Sequence, residues 1–255
     1  MEYICFASSS SGNCALLRGG GVNLLIDAGI SMKRIRTGLR SLGLDLGDLR
    51  GVLVTHEHAD HVSALGMLSK YTDLPFYVSP GTGEALLREG KCARKNLRPL
   101  GEDLTVCLGE LRLMGVPLMH DAAQPIGWRI EGEKSAAAVL TDLGKLTEGV
   151  LAAARGCRFA VVECNHDVEM LRRGPYPPYL QRRILGDRGH LSNEAGASLA
   201  RYLAENGAEE VLLGHLSREN NRPGLALAAV RGQVGASLRV NVAPPDTCSP
   251  KISVE

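Results

Sequence analysis

The sequence Thr55-His56-Glu57-His58-Ala59-Asp60-His61 places four side chains that can bind a metal within six residues, directly after the apolar run Gly51-Val52-Leu53-Val54. Four such neighbours cannot all point one way from a regular strand or helix, so the backbone must turn there. His56 and His58, spaced i, i+2, project to one side of an extended segment, whereas Asp60 and His61 begin the next element. The pattern therefore predicts a strand, a loop and a helix, with the loop beside a pair of metal ions.

Length and composition indicate a globular chain that does not require a charged partner. Of the 255 residues, 44% are apolar, which is enough for a substantial core. The 29 basic and 28 acidic side chains leave a net charge of +1, so bulk charge neither demands nor excludes a polyanion. Because neither a repeat nor a linker divides the sequence, we expect one domain over residues 1–255.

The cysteines and the N-terminus indicate a cytoplasmic protein. The seven cysteines are scattered and form no Cys-x-x-Cys pair, which is typical of reduced thiols. No basic segment precedes an apolar core at the N-terminus, and no stretch approaches the roughly 18 apolar residues of a membrane span. We expect no membrane partner, and the sequence leaves the oligomeric state open.

Strand and helix patterns are mixed along the whole chain. Alternation and apolar runs predict strands at 3–7, 14–18, 23–27, 52–55, 76–78, 104–107, 111–117, 136–141, 159–163, 211–213 and 238–240. Helical spacing, caps and prolines predict helices after Ser31, at 60–71, 80–88, 145–154 and up to 206, and from Pro223. Such an α/β order suits two packed sheets covered by helices.

Further candidate ligands lie where predicted strands end. His120 follows the run Met114-Gly115-Val116, Asp142 follows Val139-Leu140-Thr141, and His215 follows Val211-Leu212-Leu213. Functional side chains of α/β scaffolds converge at such strand ends. Taken alone, Asp142 could be a turn acid and His215 could bond a loop.

These motifs, in this order, resemble the metallo-β-lactamase superfamily along nearly the whole chain, including Asp27 in Leu25-Ile26-Asp27-Ala28-Gly29. The resemblance implies an αββα sandwich in which two mixed β-sheets are flanked by helices. It implies two metal ligand sets and a bridging carboxylate: His56, His58 and His120; Asp60, His61 and His215; and Asp142. Asp27 would orient the ligand loop without touching metal.

A second set of motifs is similar to the YycJ/WalJ-like branch of that superfamily. The set comprises Ser11-Gly12-Asn13, His120-Asp121-Ala122-Ala123, Thr141-Asp142-Leu143-Gly144, Glu163-Cys164-Asn165-His166-Asp167, Gly189-His190-Leu191-Ser192-Asn193 and His215-Leu216-Ser217. The resemblance implies a metal-dependent DNA exonuclease, acting 5′ to 3′ on double-stranded DNA. Asn165, His166 and Ser217 would then support the metal ligands or contact substrate.

The expected chemistry is phosphodiester hydrolysis by two divalent ions. Ions about 3.5 to 4 Å apart can bind a bridging hydroxide as nucleophile and neutralise charge on the phosphate. We expect His190 to protonate the leaving oxygen, with Asp60 as the alternative acid; His190 could instead be a polar residue before a helix cap. Mixed histidine and carboxylate ligands suit zinc, manganese or iron.

Arginines near His190 make nucleic acid the expected partner, and the resemblance implies that this nucleic acid is DNA. They surround Tyr176 and Tyr179, which could stack on bases; they are Arg172, Arg173, Arg182, Arg183 and Arg188. Hydrolysis of RNA, a small cyclic phosphodiester, a thioester or a lactam remains an alternative, because the same fold supports many reactions. A protein that binds metal without catalysis is a third hypothesis.

Overall fold

The computed structural model describes residues 1–236 and 238–254. Within them, fourteen strands form two sheets. The strands are β1 (Glu2–Ala7), β2 (Cys14–Gly19), β3 (Val22–Ile26), β4 (Gly51–Leu53), β5 (Phe76–Val78), β6 (Leu97–Pro99), β7 (Thr105–Leu108), β8 (Leu111–Pro117), β9 (Ile126–Glu131), β10 (Ala136–Leu140), β11 (Cys157–Glu163), β12 (Glu210–Gly214), β13 (Arg239–Val242) and β14 (Ile252–Ser253).

Each sheet is mixed. The first has the order β14-β1-β2-β3-β4-β5-β6, and the second has the order β13-β12-β11-β10-β9-β8-β7. In the first sheet, β1 to β3 form the predicted antiparallel meander, and β3 to β6 run parallel. In the second, β7 to β10 are antiparallel and β10 to β13 are parallel. Because β8 and β10 both run antiparallel to β9, they end at the same edge as β11 and β12.

Nine α-helices in the described residues cover the outer faces of the sheets or connect strands. They are α1 (Met32–Ser41), α2 (Ala59–Val62), α3 (Leu65–Tyr71), α4 (Pro80–Arg88), α5 (Glu148–Ala154), α6 (Val168–Arg173), α7 (Pro178–Leu185), α8 (Asn193–Glu205) and α9 (Pro223–Arg231). Short 3-10 helices occur at Leu46–Asp48 and Arg94–Asn96. No helix among these residues has both the length and the apolar character needed to cross a bilayer.

Three apolar layers hold the fold together. Between the sheets, side chains such as Leu53, Trp128 and Phe159 form one buried cluster. A second cluster lies between the first sheet and its helices, around Ile35 and Leu68, and a third joins the second sheet to α5, α8 and α9. Burying each such large side chain contributes about 1.5–3 kcal/mol. The helix-sheet-sheet-helix layering confirms the αββα sandwich with two mixed sheets.

The predicted helix at 60–71 is wrong as one element, because it is divided into α2 and α3. Backbone groups that would continue the helix bond instead to the loops after β1 and β3. The carbonyl of Asp60 accepts from the amide of Asn13 (2.8 Å), and the carbonyl of His61 accepts from the amide of Ala28 (2.8 Å). The amide of Ala64 donates to the carbonyl of Ala28 (2.9 Å). These contacts fix the ligand loop to the first sheet.

Two other segments also differ from the sequence prediction. The helix predicted at 145–154 begins at Glu148, because the Thr147 side chain accepts from the amide of Val150 and caps it there. The segment around the Pro-rich run 174–179 holds α6 and α7, which the sequence patterns did not predict. α7 begins with Pro178 at a position where a missing amide costs nothing.

Candidate metal centre

The structure brings the seven predicted metal ligands together at one edge of the two sheets. Single donor atoms within each of four overlapping groups lie within 4.8 Å of one another. The groups are His56, His58 and His120; His56, His61 and Asp142; Asp60, His61 and His215; and Asp142, Glu163, His190 and His215. The distant residues His120, Asp142 and His215 therefore meet the local cluster, as their strand-end positions predicted.

Three residues of the centre have left-handed backbone conformations. Asp27 (φ 57°), Asp142 (φ 63°) and His215 (φ 57°) follow β3, β10 and β12, and Leu104 is the fourth non-glycine residue with positive φ in the described chain. This conformation is costly for residues with a Cβ and is found at functional sites. The strand ends thus turn sharply, which directs these side chains into the centre.

Outer hydrogen bonds orient the histidine rings. Nδ1 of His61 lies 2.7 Å from Oδ2 of Asp27, and Nδ1 of His215 lies 2.9 Å from Oε1 of Glu163. Nδ1 of His120 is 3.0 Å from the carbonyl oxygen of Gly189. Holding Nδ1 in this way leaves Nε2 of each ring to face the centre, which is the usual arrangement around metal-binding histidines.

Asp27 is placed as expected of a residue that orients the ligand loop. Its Oδ1 accepts from the backbone amide of Thr55 (2.8 Å), and its Oδ2 accepts from the Thr55 hydroxyl (2.9 Å) and contacts His61. Both carboxylate oxygens are therefore used at the base of the loop. Asp27 does not belong to any of the four donor groups.

Burial and neighbouring carboxylates push the histidine pKa values in opposite directions. Burial, together with the adjacent histidines, holds the pKa of His56 well below its ordinary value. Burial also opposes protonation of His61 and His215, but nearby carboxylates, Asp142 foremost, more than offset it. They raise the pKa of His61 well above the ordinary value and that of His215 to about 10. Asp60 is half-buried, and although this burial opposes ionisation, His61 and His215 hold its pKa far below the ordinary value.

The residues present fit divalent metal ions. Nε2 of His56 and Oδ2 of Asp142 are buried and have no hydrogen-bond partner among the described residues. Burying a polar atom without a hydrogen-bond partner costs about 1–3 kcal/mol of folding free energy. A cation bound between His56 and Asp142 would satisfy both atoms. A set of five histidines and two carboxylates suits zinc, manganese or iron.

Metal binding at neutral pH is expected to release protons. In chelator-treated protein, His61 and His215 carry protons that a metal must displace, so affinity should rise with pH by about tenfold per pH unit for each proton released. Calorimetric titration of zinc or manganese in two buffers of different ionisation enthalpy measures this number. Equal heats in both buffers would contradict it.

The same shift makes the stability of the chelated protein depend on pH. A histidine with a raised pKa stabilises the fold fully below its unfolded value, about 6.5, and this contribution disappears as the pH passes the folded value, about 10. The contribution of His215 should therefore decline between those two pH values.

Glu163 is a central residue of the site that the sequence did not predict, although it lies within the motif Glu163-Cys164-Asn165-His166-Asp167. Its side chain is fully buried, and its Oε1 lies 2.9 Å from Nδ1 of both His190 and His215. Its Oε2 accepts from the backbone amides of Leu143 (3.2 Å) and Leu191 (2.9 Å). Although burial opposes it, contacts with His190 and His215 hold the pKa of Glu163 well below the ordinary range. The feature of the sequence that could have identified Glu163 is an acidic residue at the end of an apolar strand.

Glu163→Gln is expected to weaken metal binding by about 10- to 100-fold, because an amide cannot accept from all four donors. Metal content after dialysis and the dissociation constant measure the effect. The exposed Glu110 offers a matched control, and Glu110→Gln should bind metal like the wild type. Unchanged affinity in Glu163→Gln would show that the carboxylate does not position the ligands.

Two more polar residues support the ligand loops without having been predicted to do so. Oε1 of Glu57 accepts from the backbone amide of Ala123 (2.7 Å), which ties the first histidine cluster to the loop that carries His120. Nδ2 of Asn13 lies 3.1 Å from Nε2 of His61 and 3.3 Å from Oδ2 of Asp60. Both residues act through tertiary contacts that no local pattern reveals.

The predicted supporting residues occupy different positions. His190 and Asn165 line a cavity next to the centre together with Ser217. Nδ2 of Asn165 donates to the carbonyl of His215 (2.9 Å). His166 lies apart from the four donor groups, and neither nitrogen of its buried ring has a hydrogen-bond partner in the described chain. Burial lowers the pKa of His166 to about 4, so its ring is neutral at pH 7.

Comparison with known proteins identifies the family. The family model described as "Beta-lactamase superfamily domain" matches residues 22–216. Exodeoxyribonuclease WalJ of Streptococcus pneumoniae serotype 2 (strain D39) is 33% identical over 261 residues, which cover 98% of this chain and 96% of that protein. Exodeoxyribonuclease YycJ of Bacillus anthracis is 34% identical over 233 residues, covering 90% of this chain and 88% of that protein.

Solved structures confirm the fold independently of sequence. The metallo-β-lactamase fold protein YhfI from Bacillus subtilis superimposes with a TM-score of 0.74 at 16% identity, covering 97% of this chain and 98% of that one. This structural match shows the fold, and the sequence matches assign the branch. The chain belongs to the metallo-β-lactamase superfamily, in the branch of the WalJ and YycJ proteins, and is a metal-dependent hydrolase.

Proposed function

We propose that this protein is a DNA exonuclease that acts 5′ to 3′ on double-stranded DNA. The observation that carries the proposal is that a complete set of converging donors lies in a chain whose relatives, matched over nearly their whole length, are named exodeoxyribonucleases. A degenerate site would lack at least one donor. The complete set therefore favours an enzyme over a protein that only binds metal.

Two divalent ions are part of this proposal. One would be held by His56, His58 and His120, the other by Asp60, His61 and His215, with Asp142 between them. Bound ions would supply an acidified water as nucleophile and positive charge for the phosphate oxygens. Asp27 and Glu163 keep the ligand rings in place through the hydrogen bonds described above.

His190 is the residue we assign to protonation of the leaving oxygen. Its Nδ1 is held by Glu163 at 2.9 Å, and the ring lines the adjacent cavity, so Nε2 is available to substrate. The strongly lowered pKa of Asp60 makes that carboxyl a poor proton donor and favours His190 over it.

His190→Ala is expected to retain both metals and to slow DNA cleavage by about 10²- to 10⁴-fold. Hydrolysis of bis(p-nitrophenyl) phosphate should fall far less, because nitrophenolate leaves without a proton. Metal content and the two rates are measured on the same preparation. Equal losses on both substrates would rule out the acid role.

The surface beside the centre supports a nucleic-acid substrate. The five predicted arginines lie on or near α6 and α7, and they are Arg172, Arg173, Arg182, Arg183 and Arg188. Arg183 forms an ion pair with Asp121, and Arg188 donates to the carbonyl of His120 (3.2 Å). Two guanidinium groups thus lie directly at the loop that carries His120, where they can attract phosphates.

The decisive assay uses substrates labelled at either end. Double- and single-stranded DNA, RNA and a cyclic mononucleotide are incubated with chelated protein and zinc, manganese or iron in turn. We expect early release of the 5′ label from double-stranded DNA and retention of the 3′ label. If RNA or the cyclic nucleotide is hydrolysed in preference to DNA, that compound is the substrate and the DNA proposal is wrong. Full activity in His61→Ala would expose a contaminating nuclease.

A cytoplasmic location belongs to the same proposal. DNA is present there, and the seven cysteines, all unpaired in the structure, suit a reducing compartment.

A further inference from the structure

A cavity of about 280 Å³ opens beside the metal centre. His190 lines it on the side of the centre, and α7 with the segment before it forms the opposite wall. The cavity is too small for a stretch of duplex DNA. It is close to the lower limit of pockets that hold small organic ligands.

The wall formed by α7 and the segment before it has apolar side chains that remain partly exposed. Tyr176, Leu180 and Ile184 recur at four-residue spacing, line the cavity and are only partly buried. α7 itself has no buried residue, unlike α8, in which Leu199 and Leu203 are fully enclosed. An aromatic ring and two aliphatic side chains thus present an open apolar surface of the kind on which a nucleobase stacks.

The rest of the cavity is polar. The Ser10 hydroxyl accepts from Nδ2 of Asn165 (3.2 Å), and the Ser217 hydroxyl accepts from the amide of Asn220 (3.1 Å). Neither hydroxyl donates to another group in the described part of the chain, so its proton can be donated to a ligand. These two donors and His190 are the groups that would contact a sugar or a phosphate.

The apolar wall contacts the loops that carry His120 and Asp142. Arg183 of α7 pairs with Asp121, the residue after His120. The turn after α7 packs on Gly144, where a Cβ would lie 2.4 Å from the carbonyl oxygen of Gly186. The wall therefore contacts the loops after β8 and β10.

We infer that this cavity binds the terminal nucleotide of the DNA strand under attack. The base packs on Tyr176 and the aliphatic side chains of α7, and the sugar and phosphate contact the hydroxyls next to His190. The inference rests on the proposed exonuclease function and extends it.

The test compares a normal terminal nucleotide with an abasic one on the same duplex, in single-turnover cleavage. Loss of one stacking contact is expected to slow the wild type by about 10- to 100-fold. In Tyr176→Ala the two substrates should react at similar rates. Tyr179 is the matched control, because its side chain is 67% exposed and does not line the cavity. Tyr179→Ala should keep the wild-type preference for the normal terminus.

A binding measurement makes the outcome independent of cleavage. Calorimetry compares deoxyadenosine monophosphate with deoxyribose 5-phosphate on wild type, Tyr176→Ala and Tyr179→Ala. The inference is supported if the wild type and Tyr179→Ala bind the nucleotide more tightly than the sugar phosphate and Tyr176→Ala does not. This result would hold even if no DNA is cleaved and the exonuclease function fails. Equal binding of the two ligands by the wild type overturns the inference. The inference is also overturned if Tyr176→Ala still cleaves the duplex with the normal terminus faster than the one with the abasic terminus.

Discussion

Asp142→Asn is expected to reduce DNA cleavage by on the order of 10³-fold or more. The carboxylate lies between the two donor sets, with Oδ2 3.3 Å from Nε2 of His61 and Oδ1 3.9 Å from Nε2 of His120. Removing its charge forfeits several kcal/mol of stabilisation at the metals, and each factor of ten in rate corresponds to about 1.4 kcal/mol. Metal content and single-turnover rate should fall together.

Asparagine is the replacement of choice because of the backbone. Asp142 has a φ of 63°, which asparagine adopts more readily than alanine, so the loop should survive. Asp187→Asn is the control, since Asp187 is exposed and pairs only with Lys145 among the described residues. An Asp142→Asn protein with normal metal content and rate would refute the assignment of Asp142.

Gly29→Ala is expected to disrupt the centre from a position that carries no functional side chain. A Cβ on Gly29 would lie 1.6 Å from the carbonyl oxygen of Asp60 and 2.8 Å from the amide nitrogen of His61. Both are backbone atoms, so the ligand loop itself must move. We expect a loss of about 3 kcal/mol in the free energy of unfolding together with reduced metal content.

The control for this variant separates crowding from loss of glycine. A Cβ added to Gly47 would meet no atom within 4 Å, and Gly47 has no positive φ, so Gly47→Ala should unfold like the wild type. Thermal unfolding and metal analysis of both variants are sufficient. If Gly29→Ala matches Gly47→Ala in both, the close approach of the two loops is not required.

Much of the centre could be predicted from sequence because its donors follow strand ends. The cluster from His56 to His61 is local, and His120, Asp142 and His215 each end an apolar run, so their convergence needs only the general geometry of parallel strands. The arrangement of two sheets covered by helices could likewise be predicted from the alternation of strand and helix patterns along the sequence. These predictions depend on short-range periodicity, which the sequence displays directly.

Other features depend on tertiary contacts and were missed for that reason. Glu163 resembles any acid at a strand end until β11 and the loop carrying His190 are seen together. The break between α2 and α3 arises because the loops after β1 and β3 take the hydrogen bonds of Asp60 and His61. Likewise, the two tyrosines predicted together to stack on bases differ only in three dimensions, where Tyr176 lines the cavity and Tyr179 faces outward.

The left-handed turns at Asp27, Asp142 and His215 bear on how such a chain can evolve. An ordinary L residue pays about 1–2 kcal/mol for this conformation, aspartate somewhat less, and glycine almost nothing. Selection for stability of the fold alone would favour glycine at these turns, most strongly at His215. A descendant lineage that abandoned the reaction should therefore drift to glycine there while its apolar layers stayed intact.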